Sequence, residues 1–137
     1  MILVDTSVLI DALRGRENAK VLLLRQVVRD RIPFGISPYT FQEVLQGARS
    51  EAEYAQLHEY LAAQMIYALP SGLTAHEQAA RLFFTLRRKG VTIRSTIDAL
   101  IALTAIHHNL YLLHSDRDFD AMAQHAPELK ILNSLSL

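Results

Sequence analysis

The chain of 137 residues is long enough for one domain with a single continuous hydrophobic core, and half of its residues are hydrophobic. It contains no cysteine, which excludes disulfide bonds, thiolate metal sites and cysteine nucleophiles, and no apolar run reaches the roughly 18 residues of a membrane span. We therefore expect a cytoplasmic protein. Fourteen basic and fourteen acidic residues balance, so charge alone does not predict a nucleic-acid partner.

Predicted strands and helices alternate along the chain. An apolar run predicts a strand over residues 1–5, and Thr6 or Ser7 can cap a helix that follows it and stops at Gly15. Apolar spacing predicts the further elements: helices over 17–30, 38–47, 51–64, 74–89, 97–106 and 118–124, and strands over 32–37, 110–113 and 130–132. We find no linker or internal repeat, and expect one domain over residues 1–137.

Local signals mark where several of these helices begin. Ser37 is an expected N-cap with proline at the first helical position, and Thr74 with Glu77 is an expected capping box. Ser95 or Thr96 opens a helix that is apolar nearly all round and therefore buried. The alternation predicts an α/β fold, a three-layer α/β/α sandwich with a mainly parallel sheet, which binds ligands beyond the carboxyl ends of its strands.

Acidic residues fall where such a sheet binds ligands. Asp5 ends the first predicted strand, and Asp116 and Asp118 come just after the third. Glu43 and Asp98 lie on helices among large apolar residues. Taken singly, Asp5 can cap a helix, Asp98 can favour the helix dipole, and Asp116 and Asp118 can form a turn. Glu43, in the middle of its helix, has no such structural role. Because some of these acids follow strands and the others lie on buried helices, their placement together favours a shared functional site.

Carboxylates that converge in apolar surroundings need a cation, because burial and mutual repulsion both disfavour their charged form. Oxygen ligands without Cys or a His cluster select Mg²⁺ or Mn²⁺ over Zn²⁺. An ion held in this way, with substrate phosphate, suits phosphodiester hydrolysis by a metal-activated water. The chain has no zinc-type His spacing, nucleophile elbow or nucleotide-binding glycine loop.

Four motifs follow one another over nearly the whole chain. They are Val4-Asp5-Thr6-Ser7-Val8-Leu9-Ile10, Ser37-x-x-Thr40-x-x-Glu43-Val44-Leu45-x-Gly47, Ile97-Asp98-Ala99-Leu100-Ile101-Ala102 and His114-Ser115-Asp116-Arg117-Asp118-Phe119. In sequence and order they resemble the motifs of the PIN-domain ribonucleases, particularly the VapC-type toxins of bacterial type II toxin–antitoxin pairs.

The resemblance implies an acidic pocket whose catalytic and metal-binding residues are Asp5, Glu43, Asp98 and Asp116. It makes Asp118 an auxiliary acid and Thr6 a hydroxyl that orients water or metal. His114 stands where many relatives carry Thr, so that Ser115 becomes the candidate for the missing hydroxyl. The resemblance further implies a Mg²⁺- or Mn²⁺-dependent endoribonuclease that is usually a homodimer and is inhibited by a cognate antitoxin.

This reading also changes how the charge balance is understood. Without the five acids of the predicted pocket, nine acidic residues remain against fourteen basic ones. Candidate phosphate contacts lie in loops and at helix ends: Arg14, Arg16, Arg87, Arg88, Lys89 and Arg94. The helices over 51–64 and 74–89 carry more apolar residues than one buried face needs, which favours a homodimer or an antitoxin groove.

Two other functions would require residues that the chain lacks. A haloacid-dehalogenase-type phosphatase needs an acid at position 7, where the chain has Ser7. A receiver-like domain that binds Mg²⁺ needs paired acids near the first strand and a Lys after a late strand, and neither is found. A catalytically silent PIN-fold module that binds RNA or protein remains the alternative, and an activity assay separates it from a nuclease.

Overall fold

In the computed structural model, which describes residues 1–135, short parallel strands build one sheet. The strands are β1 (Ile2–Val4), β2 (Phe34–Ile36), β3 (Met65–Ile66), β4 (Tyr111–Leu113) and β5 (Lys130–Ile131), in the spatial order β3-β2-β1-β4-β5. Every neighbouring pair is parallel. The apolar strand β1 therefore lies at the centre, which is why all three of its residues are buried.

Helices cover both faces of this sheet, and the predicted α/β/α sandwich is confirmed. They are α1 (Thr6–Leu13), α2 (Ala19–Arg29), α3 (Pro38–Gln46), α4 (Glu51–Ala62), α5 (Leu73–Arg88), α6 (Thr96–His107) and α7 (Arg117–His125). Within residues 1–135, no helix is both long enough and apolar enough to cross a bilayer.

The alternation of side chains along β1 separates two cores. Ile2 and Val4 point to the face covered by α1 to α4, where they pack in one buried cluster with Leu9 and Val27. Leu3 points to the opposite face and belongs to the cluster formed with α5, α6 and α7. Helices thus pack on both faces of the central strand β1 and fix the position of its carboxyl end.

Three details differ from the sequence-based expectations. The N-cap of α1 is Asp5, the residue directly after β1, and Thr6 and Ser7 lie inside the helix. The predicted capping box is wrong: α5 begins at Leu73 after Gly72 at φ +100°, without a side-chain cap, which leaves Thr74 inside the first turn. The strand β3 was not predicted, because two exposed edge residues carry no hydrophobic pattern.

Parallel pairing brings the polar residues after the strands to one edge. Asp5 follows β1, Ser37 follows β2, and residues 114–116 follow the neighbouring strand β4. Helix α3, capped by Ser37 as predicted, carries Glu43, and helix α6, capped by Ser95, carries Asp98 in its first turn. The carboxyl edge of the sheet is therefore where the predicted acids gather.

Candidate active site

Asp5 is the most deeply buried acid of this edge, with only 4% of its surface exposed. Its Oδ2 accepts hydrogen bonds from the Ser7 backbone N–H at 3.1 Å and from the Ser7 hydroxyl at 2.6 Å. Its Oδ1 is buried and has no hydrogen-bond partner in the described part of the chain. Burial raises the pKa of Asp5 despite the Ser7 hydrogen bonds. A cation at this oxygen would relieve that cost.

The Ser7 hydroxyl joins the ends of β1 and β4. While it donates to Asp5, its oxygen accepts the backbone N–H of Ser115 at 3.0 Å. One small side chain therefore fixes the carboxylate of the first motif relative to the turn that carries Asp116. Sequence reasoning gave Ser7 no role in the site. The signal was its position two residues after Asp5, the spacing at which an Asp side chain bonds the backbone in an Asx turn.

Glu43 is held by a row of hydroxyls. The Thr6 Oγ1 lies 2.8 Å from Glu43 Oε1 and 3.0 Å from Thr40 Oγ1, and Thr40 Oγ1 lies 3.4 Å from Ser37 Oγ. Because an ionised carboxylate only accepts, Thr6 donates to Glu43 and leaves its oxygen free to accept from Thr40. Thr40 was not predicted in the site, although it lies three residues before Glu43 and so on the same helical face.

Asp98, Asp116 and Asp118 form a close group of acids, which we call the acidic cluster. One carboxylate oxygen from each lies within 4.8 Å of the other two. Partial burial and the negative charges of Asp5, Asp116, Asp118 and Glu43 raise the pKa of Asp98 to about 7. All five acids predicted from the sequence therefore interact electrostatically around Asp98, and Asp118 is a full member of the group.

Arg94 lies on the solvent side of this cluster. The Arg94 guanidinium donates from Nη2 to Asp116 Oδ1 at 2.9 Å and from Nε to Asp118 Oδ2 at 3.1 Å. The Arg94 backbone N–H also donates to Asp118 Oδ2, at 3.2 Å. Desolvation acts to raise the pKa of Asp118, but these hydrogen bonds and the arginine charge outweigh it and lower that pKa.

His114 is buried and holds the turn between β4 and α7 in place. It is only 2% exposed, and its Nδ1 accepts the Asp116 backbone N–H at 3.0 Å. Because Nδ1 is an acceptor, the ring proton is on Nε2, which lies 3.2 Å from Asp120 Oδ1. Burial lowers the pKa of His114 and so favours this neutral form. A ring nitrogen of His114 thus holds the backbone of Asp116.

Comparison with known proteins agrees with this geometry. A family model described as PIN domain matches residues 2–124. The chain belongs to the PIN domain family. Ribonuclease VapC11 of Mycobacterium tuberculosis and a VapC ribonuclease of Mycobacterium bovis are each 29% identical over 129 residues, which are 90% of this chain and 92% of each relative. The predicted resemblance to PIN-domain ribonucleases of the VapC type is confirmed.

Solved structures share the fold of this PIN domain. VapBC2 from Rickettsia felis, bound to a promoter DNA fragment, matches with a TM-score of 0.73 at 21% identity, over 98% of this chain and 99% of the matched chain. A toxin–antitoxin complex from Klebsiella pneumoniae matches with a TM-score of 0.65 at 26% identity, over 87% of this chain and 90% of the matched chain.

The basic residues predicted to contact RNA fall into separate groups on the PIN domain. Arg94 binds two acids of the acidic cluster, a contact that sequence reasoning missed because it depends on the path of the loop before α6. Arg14 and Arg16 line a groove of about 730 Å³ between α1 and α4. Exposed residues near the end of α5 form the third group, Arg87, Arg88 and Lys89, of which the two arginines lie over Phe83 and Phe84. Their contacts with RNA, and a role for the Ser115 side chain, stay predictions.

Proposed function

We propose that this PIN domain is a metal-dependent endoribonuclease and the toxin of a toxin–antitoxin pair. The observation that carries the proposal is the convergence of four other carboxylates on that of Asp98, together with the buried Asp5 oxygen that has no hydrogen-bond partner within residues 1–135. The VapC ribonucleases that this chain resembles support RNA as the substrate. The proposal treats residues 1–137 as one PIN domain.

The donor set fits Mg²⁺ or Mn²⁺, because every candidate ligand is a carboxylate oxygen. Asp98, Asp116 and Asp118 would hold the ion, with Asp5 and Glu43 beside them. When bound, one or two such ions supply positive charge to the scissile phosphate and acidify a water. They would also favour the ionised form of Asp98, whose pKa of about 7 leaves it partly protonated at neutral pH without a cation.

The remaining residues of the site hold these carboxylates in place. Ser7 orients Asp5, Thr6 orients Glu43, and His114 holds the backbone of Asp116. In the proposed reaction a water attacks phosphorus in line, and the bond to the 3′ oxygen breaks. The products are a 5′-phosphate and a 3′-hydroxyl, so the ribose 2′-hydroxyl takes no part in the chemistry.

RNA cleavage by the purified protein tests this function. We expect cleavage with Mg²⁺ or Mn²⁺, none with excess EDTA, and a loss of about a hundredfold or more in Asp5→Asn and Asp98→Asn, as is typical when a residue stabilises the transition state. Asp30→Asn is the matched control, because Asp30 is exposed at the end of α2. Cleavage that survives EDTA or Asp98→Asn would contradict the metal mechanism. A wild-type protein that binds RNA without cutting it would be the silent binding module.

We also propose that a cognate antitoxin protein and a second copy of the chain are partners. The solved Klebsiella pneumoniae relative is a toxin–antitoxin complex. In this chain, Tyr54 and Tyr60 are exposed on α4, and Phe84 is exposed on α5 beside a pocket of about 500 Å³ shared with α6. Light scattering of the purified protein, alone and co-expressed with the product of a short neighbouring gene, separates a monomer from a homodimer and from a complex.

A further inference from the structure

We propose that the Arg94 guanidinium acts as an internal cation of the acidic cluster and exchanges with the divalent ion for Asp116 and Asp118. This inference rests on the proposed function, because it takes the cluster as the metal site. It assigns Arg94 two successive partners: the carboxylates before the ion binds, and the phosphate of RNA afterwards.

The Arg94 guanidinium binds the same carboxylates that would bind a metal ion. Its guanidinium bonds one carboxylate oxygen each of Asp116 and Asp118, two of the three acids of the cluster. The carboxylate of the third acid, Asp98, receives no hydrogen bond from Arg94 or from any other residue in the range 1–135. Arginine therefore compensates the outer part of the cluster, while Asp98 and the buried Asp5 Oδ1 are left for another cation.

The Arg94 side chain is exposed enough to move away from Asp116 and Asp118. Its side chain is 62% exposed, whereas the side chains of Asp116 and Asp118 are 27% and 12% exposed, so the guanidinium lies at the mouth of the cluster. The loop that carries it, between α5 and α6, is also attached to Asp118 through the Arg94 backbone N–H. That backbone contact does not depend on the guanidinium, and the side chain can therefore turn outward while the loop stays in place.

A divalent ion bound to the acidic cluster would repel the Arg94 guanidinium. An ion that takes an oxygen from each acid of the cluster lies a few ångströms from the guanidinium, and the two positive charges repel each other. At that distance, even with the dielectric constant of water, the repulsion corresponds to about tenfold in metal affinity. Ion binding therefore favours release of the arginine from Asp116 and Asp118.

The released side chain remains at the entrance to the site, where the RNA backbone must approach. Arginine binds phosphate through two parallel hydrogen bonds, the same fork that it offers to the two carboxylates here. The exchange thus makes phosphate binding by Arg94 conditional on a loaded metal site. It also reconciles the predicted phosphate contact with the ion pairs seen in the structure.

Mn²⁺ binding in the absence of RNA tests the exchange without relying on activity. Calorimetry of the full chain should give an Mn²⁺ affinity about tenfold tighter in Arg94→Ala than in the wild type, because a competing charge is removed. Arg94→Lys, which keeps the charge but loses the fork, should fall between them. Arg29→Ala is the control: Arg29 is exposed at the end of α2, where its ion pair is with the adjacent Asp30, and its loss should change the affinity by less than about twofold.

The outcomes separate this inference from the proposed function. Weaker Mn²⁺ binding in Arg94→Ala would show that arginine positions the ligands instead of competing, and unchanged binding would show that it does neither; both overturn the exchange and leave the nuclease standing. A wild-type protein that binds no Mn²⁺ overturns both proposals. For cleavage, Arg94→Ala should need less Mn²⁺ for half activation while its KM for RNA rises, and a fall in kcat alone would contradict the second role of Arg94.

Discussion

The inner and outer acids of this site are held in different ways. Asp5 and Glu43, on the inner side, accept hydrogen bonds from the neutral hydroxyls of Ser7 and Thr6. On the outer side, the acids are bound by the charged guanidinium of Arg94. Neutral donors orient a carboxylate without compensating its charge, whereas a guanidinium compensates charge and competes with any other cation.

Asp98 lies between the two groups and takes part in neither arrangement. Partial burial and then the charges of both the inner and the outer acids raise the pKa of Asp98, and the described residues give its carboxylate no hydrogen bond. The fold therefore fixes the geometry of the inner acids through hydrogen bonds but leaves the negative charge of Asp98 uncompensated. A divalent ion that bound there would compensate this charge.

The largest expected effect comes from neutralising Asp98. Its pKa rises from 3.8 in the unfolded chain to about 7 in the folded one, so deprotonation favours unfolding. Without metal, the penalty is absent below about pH 4, grows between about pH 4 and pH 7, and is complete above pH 7. Asp98→Asn should therefore be more stable than the wild type above pH 7, by about 2 kcal/mol after allowance for the partial exposure of the group.

Thermal and urea unfolding in EDTA across this pH range measure the difference, with Asp30→Asn as the control. The stability gap between Asp98→Asn and the wild type should close as the pH falls to about 4. Addition of Mn²⁺ at pH 7.5 should stabilise the wild type and leave Asp98→Asn unchanged. A stability difference that does not depend on pH would mean that the pKa of Asp98 is not raised in the folded protein.

The same contrast separates what the sequence predicts from what it does not. The inner acids and Asp116 follow strands or lie on strongly patterned helices, and parallel pairing forces those positions together. The contacts of Arg94 depend on a loop whose conformation no periodicity encodes. The cap of α1 was misplaced for a related reason: Asp5, Thr6 and Ser7 all have capping side chains, and the choice depends on where β1 ends in space.

A smaller effect is expected at the inner acids from Ser7→Ala. The change removes the 2.6 Å hydrogen bond to Asp5 and the acceptor of the Ser115 N–H, so the free energy of unfolding should fall by about 1.5 kcal/mol. RNA cleavage should fall about tenfold, because Asp5 loses its fixed orientation. Ser50→Ala removes the exposed cap of α4, whose side chain makes no hydrogen bond to the five acids within residues 1–135, and should cost about 1 kcal/mol with full activity. Equal activity in the two variants would remove Ser7 from the site.

The smallest effect is expected from Thr6→Val, which keeps the shape of the side chain and deletes its hydroxyl. Glu43 loses its donor at 2.8 Å and Thr40 loses its acceptor, yet Glu43 is partly exposed and water can replace Thr6. The free energy of unfolding should fall by only about 0.5–1 kcal/mol. Thr6→Ser restores the hydroxyl, and should recover both stability and the kcat for RNA cleavage if orientation of Glu43 is the role of Thr6. Full kcat in Thr6→Val would show that the hydroxyl of Thr6 does not matter for catalysis, and the row of hydroxyls would then be purely structural.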